Sequence, residues 1–214
     1  MDTRIAAILA ETQGSTVLDV GCVGGLQTTT PDWLDSPLWL HGHLVKQFED
    51  VWGIDLAPER IAFLQEHGYP NARVGNAETF ELGRSFDTIV AGELIEHLPN
   101  PGLFLDRCRE HLASGGRLVV TTPYPFGYEV LAYAFIKYPR TCSNPEHTLW
   151  ICPQTMRRLA ALCGFRVERQ MVLRDYQRAS GFGPYAWARR GAMLISRLPV
   201  RVSGRTILYR LTPS

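Results

Sequence analysis

The feature that most constrains the fold is an apolar run that ends in a glycine-rich turn. Residues 17–25 read Val-Leu-Asp-Val-Gly-Cys-Val-Gly-Gly, and residues 51–55 read Val-Trp-Gly-Ile-Asp. Short apolar runs of this kind are typical of buried parallel strands, and the turn after the first strand of an open α/β sheet commonly holds a nucleotide. The acid that ends the second run, Asp55, is a candidate hydrogen-bond acceptor for a ribose diol. The pattern therefore predicts a nucleoside cofactor at the carboxyl edge of a doubly wound sheet.

The spacing of these residues argues against a dinucleotide. That fingerprint reads G-x-G-x-x-G, with the ribose acid about 20 residues further on. Here Val23 takes the second glycine position, and Asp55 lies 34 residues beyond Gly21. A nicotinamide oxidoreductase is therefore the least favoured class.

The first motif resembles that of the class I S-adenosylmethionine-dependent methyltransferases, which usually reads D-x-G-C-G-x-G. Asp19, Gly21, Cys22 and Gly25 match this pattern, whereas Val23 departs from it. Because a β-branched residue rarely takes a positive φ, we expect the loop to differ locally at Val23.

Further motifs follow in the order of that family over roughly 110 residues. Residues 71–78 resemble the third strand and the turn that contacts adenine, with Asn76 where the family usually has Asp. Residues 86–91 resemble the fourth strand, and residues 112–123 a helix end, a glycine turn and the fifth strand. The resemblance implies that S-adenosylmethionine is the cofactor. The residues implied to bind it are Asp19, Gly21, Cys22, Gly25, Asp55, Leu56, Asn76, Ala77 and Ala91.

The same resemblance implies a Rossmann-like, doubly wound α/β fold whose seven-stranded sheet is mostly parallel with an antiparallel last strand. Residues 165–173 are predicted as the sixth strand and residues 206–211 as the seventh. Pro58, Pro101 and Pro153 each stand where a predicted helix begins. With 214 residues, 45% hydrophobic and 20% charged, the chain is expected to form a single methyltransferase domain over residues 1–214.

Two segments exceed what a minimal version of this fold needs, namely residues 26–50 and residues 174–204. Insertions at the carboxyl edge of such a sheet commonly shape the acceptor pocket. Within the second segment, residues 185–199 fit an amphipathic helix with arginines on one side. A lid packed on the domain is the preferred interpretation, and contact with a membrane surface is the alternative.

The remaining composition suggests a cytoplasmic protein. The sequence shows no signal-peptide pattern, no apolar run of about 18 residues and no C-x-x-C spacing among its five cysteines. Charge is divided unevenly, because residues 1–165 carry a balance of −7 and residues 166–214 a balance of +8. Either the late arginines meet an anionic partner, or they pair with the acidic part of the chain and face water; the second interpretation is preferred.

Candidate catalytic groups follow the fourth and fifth strands. An alcohol must lose its proton when it attacks a methyl group, so a base near the cofactor indicates a hydroxyl acceptor. Glu93, His97 and His147 are the predicted catalytic residues, and Glu96 lies among them.

Three interpretations of this set stay open. The E-x-x-E-H pattern at residues 93–97 with a later histidine resembles the metal site of small-RNA terminal ribose 2′-O-methyltransferases, and a similar pattern occurs in ubiquinone-pathway O-methyltransferases. Two carboxylates and two imidazoles suit a divalent ion that lowers the pKa of a hydroxyl. Without metal, His97 or His147 is a candidate general base. In the third interpretation the turn is only structural.

The leading hypothesis is methyl transfer from S-adenosylmethionine to a hydroxyl oxygen of a small molecule, such as a sugar, a glycan precursor or another secondary metabolite. The second is an RNA ribose 2′-O-methyltransferase with a divalent metal. A nucleic-acid partner is disfavoured, because aromatic and basic residues are not interleaved as in a known RNA module. The third is a non-catalytic cofactor-binding scaffold subunit, which rests on Val23 and Asn76. The sequence does not indicate an oligomeric state.

Overall fold

The computed structural model describes residues 3–24, 33–127, 130, 144–173 and 204–214. The helices are α1 (Thr3–Glu11), α2 (Leu40–Gln47), α3 (Pro58–Glu66), α4 (Pro101–Glu110) and α5 (Pro153–Leu162), with a 3₁₀ helix at Ile95–His97. The strands are β1 (Thr16–Val20), β2 (Asp50–Asp55), β3 (Ala72–Val74), β4 (Phe86–Gly92), β5 (Leu112–Pro123), β6 (Phe165–Leu173) and β7 (Thr206–Pro213).

The strands form one seven-stranded sheet in the order β3-β2-β1-β4-β5-β7-β6. Strands β3, β2, β1, β4 and β5 are parallel, whereas β7 runs antiparallel to both β5 and β6. The predicted fold class is therefore confirmed, including the antiparallel last strand. The strand order reverses between β1 and β4, and ligands of such sheets bind outside the carboxyl ends of the strands at this point.

Both faces of the sheet are covered, because side chains alternate along each central strand. Leu18 of β1 and Ile89 of β4 face one apolar cluster, which α4 and α5 complete. Val17 and Val90 face the other cluster, which α1 and α2 complete. The helices that Pro58, Pro101 and Pro153 were expected to begin do start at those residues, as predicted.

The structure corrects the interpretation of residues 26–50 as an insertion. This segment contains α2, which connects the parallel neighbours β1 and β2. Parallel strands need such a crossover, so α2 belongs to the minimal fold. Only the residues beside α2 remain as a candidate insertion, and of these residues 26–32 lie outside the described part. The predicted lid at residues 174–204 and the predicted helix at 185–199 also lie outside it, apart from Gly204.

Residues 112–116 also differ from the prediction of a helix end. Helix α4 ends at Glu110, and Leu112 already pairs with Phe86 of β4. The register then shifts before Thr88 pairs with Arg117, and Gly116 lies in this shift, where a Cβ would be 3.0 Å from the Phe86 carbonyl oxygen. The glycine turn is therefore an irregularity inside β5.

Two of the late arginines pair with an acid from the first helix. Glu11 is only 3% exposed, and its carboxylate accepts hydrogen bonds from Arg169 at 2.7 Å and from Arg210 at 2.8 Å. The contacts of these two arginines therefore fit the preferred interpretation, in which the late arginines pair with the acidic part of the chain. No helix in the described ranges is long and apolar enough to cross a bilayer.

Candidate active site

The carboxyl ends of β1, β2, β4 and β5 open into a cleft of about 880 Å³. Its walls come from the loop after β1, the start of α2, the turn after β4 and the loop before α5. Its lining includes Arg4, Asp19, Gly21, Cys22, Gly24, Trp39, Asp55, Gly92, Glu93, Glu96, His97 and His147.

The glycine loop after β1 is held against β2. The N–H groups of Gly21 and Cys22 donate to the Ile54 carbonyl oxygen at 2.8 and 3.1 Å. Gly21 and Gly24 take positive φ values of 84° and 68°, which favour glycine. A Cβ at Gly24 would meet no atom of the described residues within 4 Å, so these residues leave space beside this part of the loop.

Val23 keeps a negative φ and is only 1% exposed. It packs in an apolar cluster with Trp33 and Trp39, whose rings lie 4.9 Å apart. Its N–H donates to Asp55 Oδ2 at 3.2 Å. The departure from the family motif at Val23 is therefore accommodated by packing beneath the loop, while the backbone still contacts the ribose-binding candidate.

Asp55 is held by two backbone donors. Val23 N–H meets Oδ2, and Ala57 N–H meets Oδ1 at 3.2 Å. Burial raises the pKa of Asp55, whereas these two hydrogen bonds lower it. Each oxygen keeps a further lone pair, so the carboxylate can accept from a diol at the cleft.

Only some of the predicted cofactor residues meet at the cleft. Asp19, Gly21, Cys22 and Asp55 line it. The other predicted residues do not line it or are not described. Ala77 and Ala91 are buried in the core, whereas Leu56 is 66% exposed. The Asn76 side-chain oxygen accepts a hydrogen bond from the Glu78 N–H at 2.8 Å. Gly25 lies outside the described residues.

Glu93 turns the chain out of β4 in an unusual backbone conformation. Its φ of 55° is the one positive value at a non-glycine residue within the described ranges. Its N–H donates to the carbonyl oxygen of Thr121 at 3.0 Å and contacts the Thr121 hydroxyl at 3.2 Å. Sparsely populated backbone conformations of this kind cluster at functional sites.

Glu96 follows in the 3₁₀ helix and is 1% exposed. Neither carboxylate oxygen has a hydrogen-bond partner of normal geometry in the part of the chain that the structure describes, although the Thr122 hydroxyl is close enough to act on its charge. Burial, and then the negative charge of Glu93, raise the pKa of Glu96 to about 8, and the Thr122 hydroxyl and the Arg4 charge oppose this rise. A proton or a cation therefore stabilises this side chain in the folded protein.

His97 and His147 meet across the cleft, with ring centroids 4.7 Å apart and planes at 88°. The loop that carries His147 is docked by Thr148, which donates from its N–H to the Glu96 carbonyl oxygen at 2.9 Å. Burial and the neighbouring His97 lower the pKa of His147, and the Glu146 carboxylate opposes them. His147 is therefore predominantly a proton acceptor at neutral pH.

The residues present fit a divalent cation. One ligand atom from each of Glu96, His97 and His147 lies within 4.8 Å of the other two. A buried carboxylate beside two imidazoles is a set that binds first-row divalent ions. The structure thus brings together the three predicted catalytic residues, Glu93, His97 and His147, around Glu96.

Two residues of this site escaped sequence reasoning. Arg4 of α1 lines the cleft, but no sequence motif marks this residue. Thr148 docks the histidine loop, and its neighbour in sequence, His147, was the available signal.

Comparison with known proteins agrees with this geometry. The family described as "Methyltransferase domain" matches residues 1–170. The chain is 37% identical over 116 residues to a ubiquinone biosynthesis O-methyltransferase of Xylella fastidiosa, an alignment that covers 51% of this chain and 42% of that protein. The chain thus spans less than half the length of this curated relative.

Solved structures share the fold. A methyltransferase of Haloferax volcanii, solved in complex with the methyltransferase activator Trm112, superimposes with a TM-score of 0.67 at 19% identity, covering 99% of this chain and 88% of that one. Magnesium protoporphyrin IX methyltransferase of Synechocystis, solved with bound S-adenosylhomocysteine, gives 0.58 at 15% identity, with 98% and 80% covered. The chain therefore belongs to the methyltransferase-domain family and has the fold of the class I S-adenosylmethionine-dependent methyltransferases.

Proposed function

We propose that this protein is an S-adenosylmethionine-dependent O-methyltransferase acting on a hydroxyl of a small molecule, such as a sugar, a glycan precursor or another secondary metabolite. The observation that carries the proposal is the cluster of Glu96, His97 and His147 beside the glycine loop. The name of the curated relative, an O-methyltransferase, supports oxygen as the acceptor atom.

The cofactor is assigned to the side of the cleft that β1 and β2 form. In this assignment Asp55 accepts from the ribose diol, and the backbone at Gly24 leaves room for the cofactor to approach closely. Bound there, S-adenosylmethionine would supply its methyl group to the acceptor oxygen, with the methyl–sulfur bond breaking and S-adenosylhomocysteine as the leaving group.

The acceptor is assigned to the side of the cleft that carries the histidines. A hydroxyl must be held in line with the methyl group and must lose its proton as it attacks. His147 is suited to take that proton, because its lowered pKa leaves it unprotonated near neutral pH. His97 packs against its ring and limits the orientations it can take.

A divalent ion offers a second way to activate the hydroxyl. Glu96, His97 and His147 would hold it, and a coordinated hydroxyl loses its proton more readily. This donor set favours a second candidate function, a ribose 2′-O-methyltransferase acting on RNA with a divalent metal.

The test is transfer of a labelled methyl group from S-adenosylmethionine to a panel of purified acceptors, with EDTA or with added Mn²⁺. The panel contains sugars, sugar nucleotides, polyhydroxylated phenols and a short RNA with a free 2′-hydroxyl. We expect label on a small hydroxyl acceptor and a loss of at least about 100-fold in His147→Asn. The matched control is His67→Asn, which changes an exposed histidine directly after the end of α3.

Each other outcome overturns part of the proposal. Label only on RNA would favour the second candidate, and label only on amine acceptors would contradict oxygen as the acceptor atom. Binding of the cofactor without turnover on any acceptor would favour the non-catalytic scaffold.

A further inference from the structure

A buried histidine lies directly behind the cofactor side of the cleft. His41 Nδ1 is 3.1 Å from Asp19 Oδ2, and the two residues are 1% and 2% exposed. Asp19 lines the cleft, whereas His41 does not. Because a carboxylate oxygen can only accept, Nδ1 carries the hydrogen in this contact.

The fold leaves space for this contact by placing glycine across from Asp19. Gly53 of β2 is the direct partner of Asp19 in the parallel pairing of β1 with β2. A Cβ at Gly53 would lie 2.7 Å from His41 Cε1 and 2.7 Å from Cys22 Sγ. Because Gly53 has no side chain, the His41 imidazole can occupy the space beside it and contact Asp19.

Aromatic rings fix the imidazole from two further sides. The Trp39 ring centroid lies 5.7 Å from that of His41, and the Tyr69 centroid lies 6.0 Å from it. Trp39 is itself anchored, since its indole N–H donates to the Cys22 carbonyl oxygen at 2.8 Å. The donor that holds Asp19 thus has little freedom to move.

A carboxylate held in this way selects a cationic hydrogen-bond donor. Of the two acids at this side of the cleft, Asp55 at the end of β2 is assigned to the ribose, which leaves Asp19 of β1 for the amino-acid end of the cofactor. The ammonium group at that end donates N–H bonds, and charge-assisted bonds of this kind are the strong ones.

We propose that His41 is a positioning residue that orients the Asp19 carboxylate toward the ammonium group of the cofactor. The proposal rests on the proposed function, since it presumes binding of S-adenosylmethionine. It predicts that His41 matters for the amino-acid end of the ligand and not for its nucleoside end.

Two ligands separate these ends. S-adenosylhomocysteine carries the amino-acid part, and 5′-methylthioadenosine keeps the adenosine and the thioether but lacks that part. Calorimetric titrations of both ligands are made into the wild type, His41→Leu and His41→Asn, after thermal unfolding has shown that each variant is folded. Leucine removes the donor, whereas the amide N–H₂ of asparagine restores a donor close to the position of Nδ1.

We expect His41→Leu to weaken S-adenosylhomocysteine about 10- to 100-fold and to leave 5′-methylthioadenosine within about twofold. We expect His41→Asn to recover most of the lost affinity, although asparagine fills less of the ring's space than leucine does. If asparagine, the smaller residue, restores the affinity, then the loss in His41→Leu comes from the missing hydrogen bond and not from changed packing.

Equal loss of both ligands in His41→Leu, or no recovery in His41→Asn, would overturn the positioning role. Failure of the wild type to bind S-adenosylhomocysteine would instead overturn the proposed function itself. If the wild type binds S-adenosylhomocysteine but not 5′-methylthioadenosine, the comparison of leucine with asparagine decides the matter alone.

Discussion

His97 and His147 meet edge to face with their ring centroids 4.7 Å apart, although 50 residues separate them along the chain. His97 ends the 3₁₀ helix after β4, and His147 belongs to the loop before α5. The contact depends on how that loop docks, because Thr148 bonds both by its N–H and by its hydroxyl to carbonyl oxygens of the 3₁₀ segment.

Removing the Thr148 hydroxyl should loosen His147 without affecting the cofactor. The hydroxyl lies 2.9 Å from the Glu96 carbonyl oxygen and 3.0 Å from that of Leu98. We expect Thr148→Val to lower the rate of methyl transfer about 10-fold and the free energy of unfolding by about 1 kcal/mol. Thr148→Ser, which keeps the hydroxyl, is the control. Full activity in Thr148→Val would show that the hydroxyl does not position the loop.

The acidity of His147 should respond in opposite directions to its two charged neighbours. Burial and His97 lower its pKa, whereas Glu146 raises it. We expect His97→Gln to raise the pKa of His147 and Glu146→Gln to lower it further, as followed by NMR titration of the imidazole. If His147 is the base, the acidic limb of the rate profile moves the same way in Glu146→Gln, since activity rises as His147 loses its proton. If the acidic limb of the rate profile does not shift with the measured pKa of His147, then His147 is not the base.

Glu96 should make the protein less stable at alkaline pH. Its folded pKa, about 8, lies above the ordinary value of 4.5, so its contribution to stability is fully present below pH 4.5 and is lost as the pH rises towards 8. We expect Glu96→Gln to exceed the wild type in free energy of unfolding at pH 8.5 by about 2 kcal/mol or more, and to show no such advantage at pH 4.5. Urea denaturation at the two values measures this.

A divalent ion at the same site would change that result in a defined way. Mn²⁺ would favour the ionised Glu96 carboxylate and so raise the stability of the wild type at pH 8.5, but not that of Glu96→Gln. Equal effects of Mn²⁺ on both proteins would place the ion elsewhere.

The ion pairs of buried Glu11 should contribute more to the free energy of unfolding than an exposed ion pair does. Its buried carboxylate accepts from Arg169 and Arg210, and Arg210 also contacts Glu168 at 3.2 Å. We expect Arg210→Met to lower the free energy of unfolding by about 2 kcal/mol, because it leaves a buried charge with one partner fewer. Arg166→Met is the control, since Arg166 bonds only the Thr212 hydroxyl among the contacts described for its side chain. Equal effects of the two substitutions would contradict a special role for Glu11.

Much of the fold was predictable because it depends on local patterns. The apolar runs that became β1 and β4, and the prolines that begin α3, α4 and α5, specify elements whose order then determines the sheet. The segment before β2 was misjudged, because α2 has only eight residues, contains Gly42 and begins without the proline that marks α3, α4 and α5. Its helical state is set by the crossover that β1 and β2 require.

The site was predictable in its chemistry but not in its contacts. Glu93, His97 and His147 could be placed at one sheet edge, since strand ends meet there. Ala77 and Ala91 remain predicted cofactor residues whose side chains lie in the core, and motif position does not reveal which way a side chain points. The pairing of Asp19 with His41 through the gap at Gly53 joins three segments, and no local pattern encodes such a contact.

The most direct test of the central claim is a calorimetric titration of S-adenosylhomocysteine into the protein, with Asp55→Ala measured in parallel. We predict micromolar affinity for the wild type, about −8 kcal/mol, and at least about 10-fold weaker binding once the Asp55 carboxylate is removed. Absence of binding by the wild type at millimolar ligand, or equal affinity in Asp55→Ala, would contradict the assignment of this cleft to the cofactor.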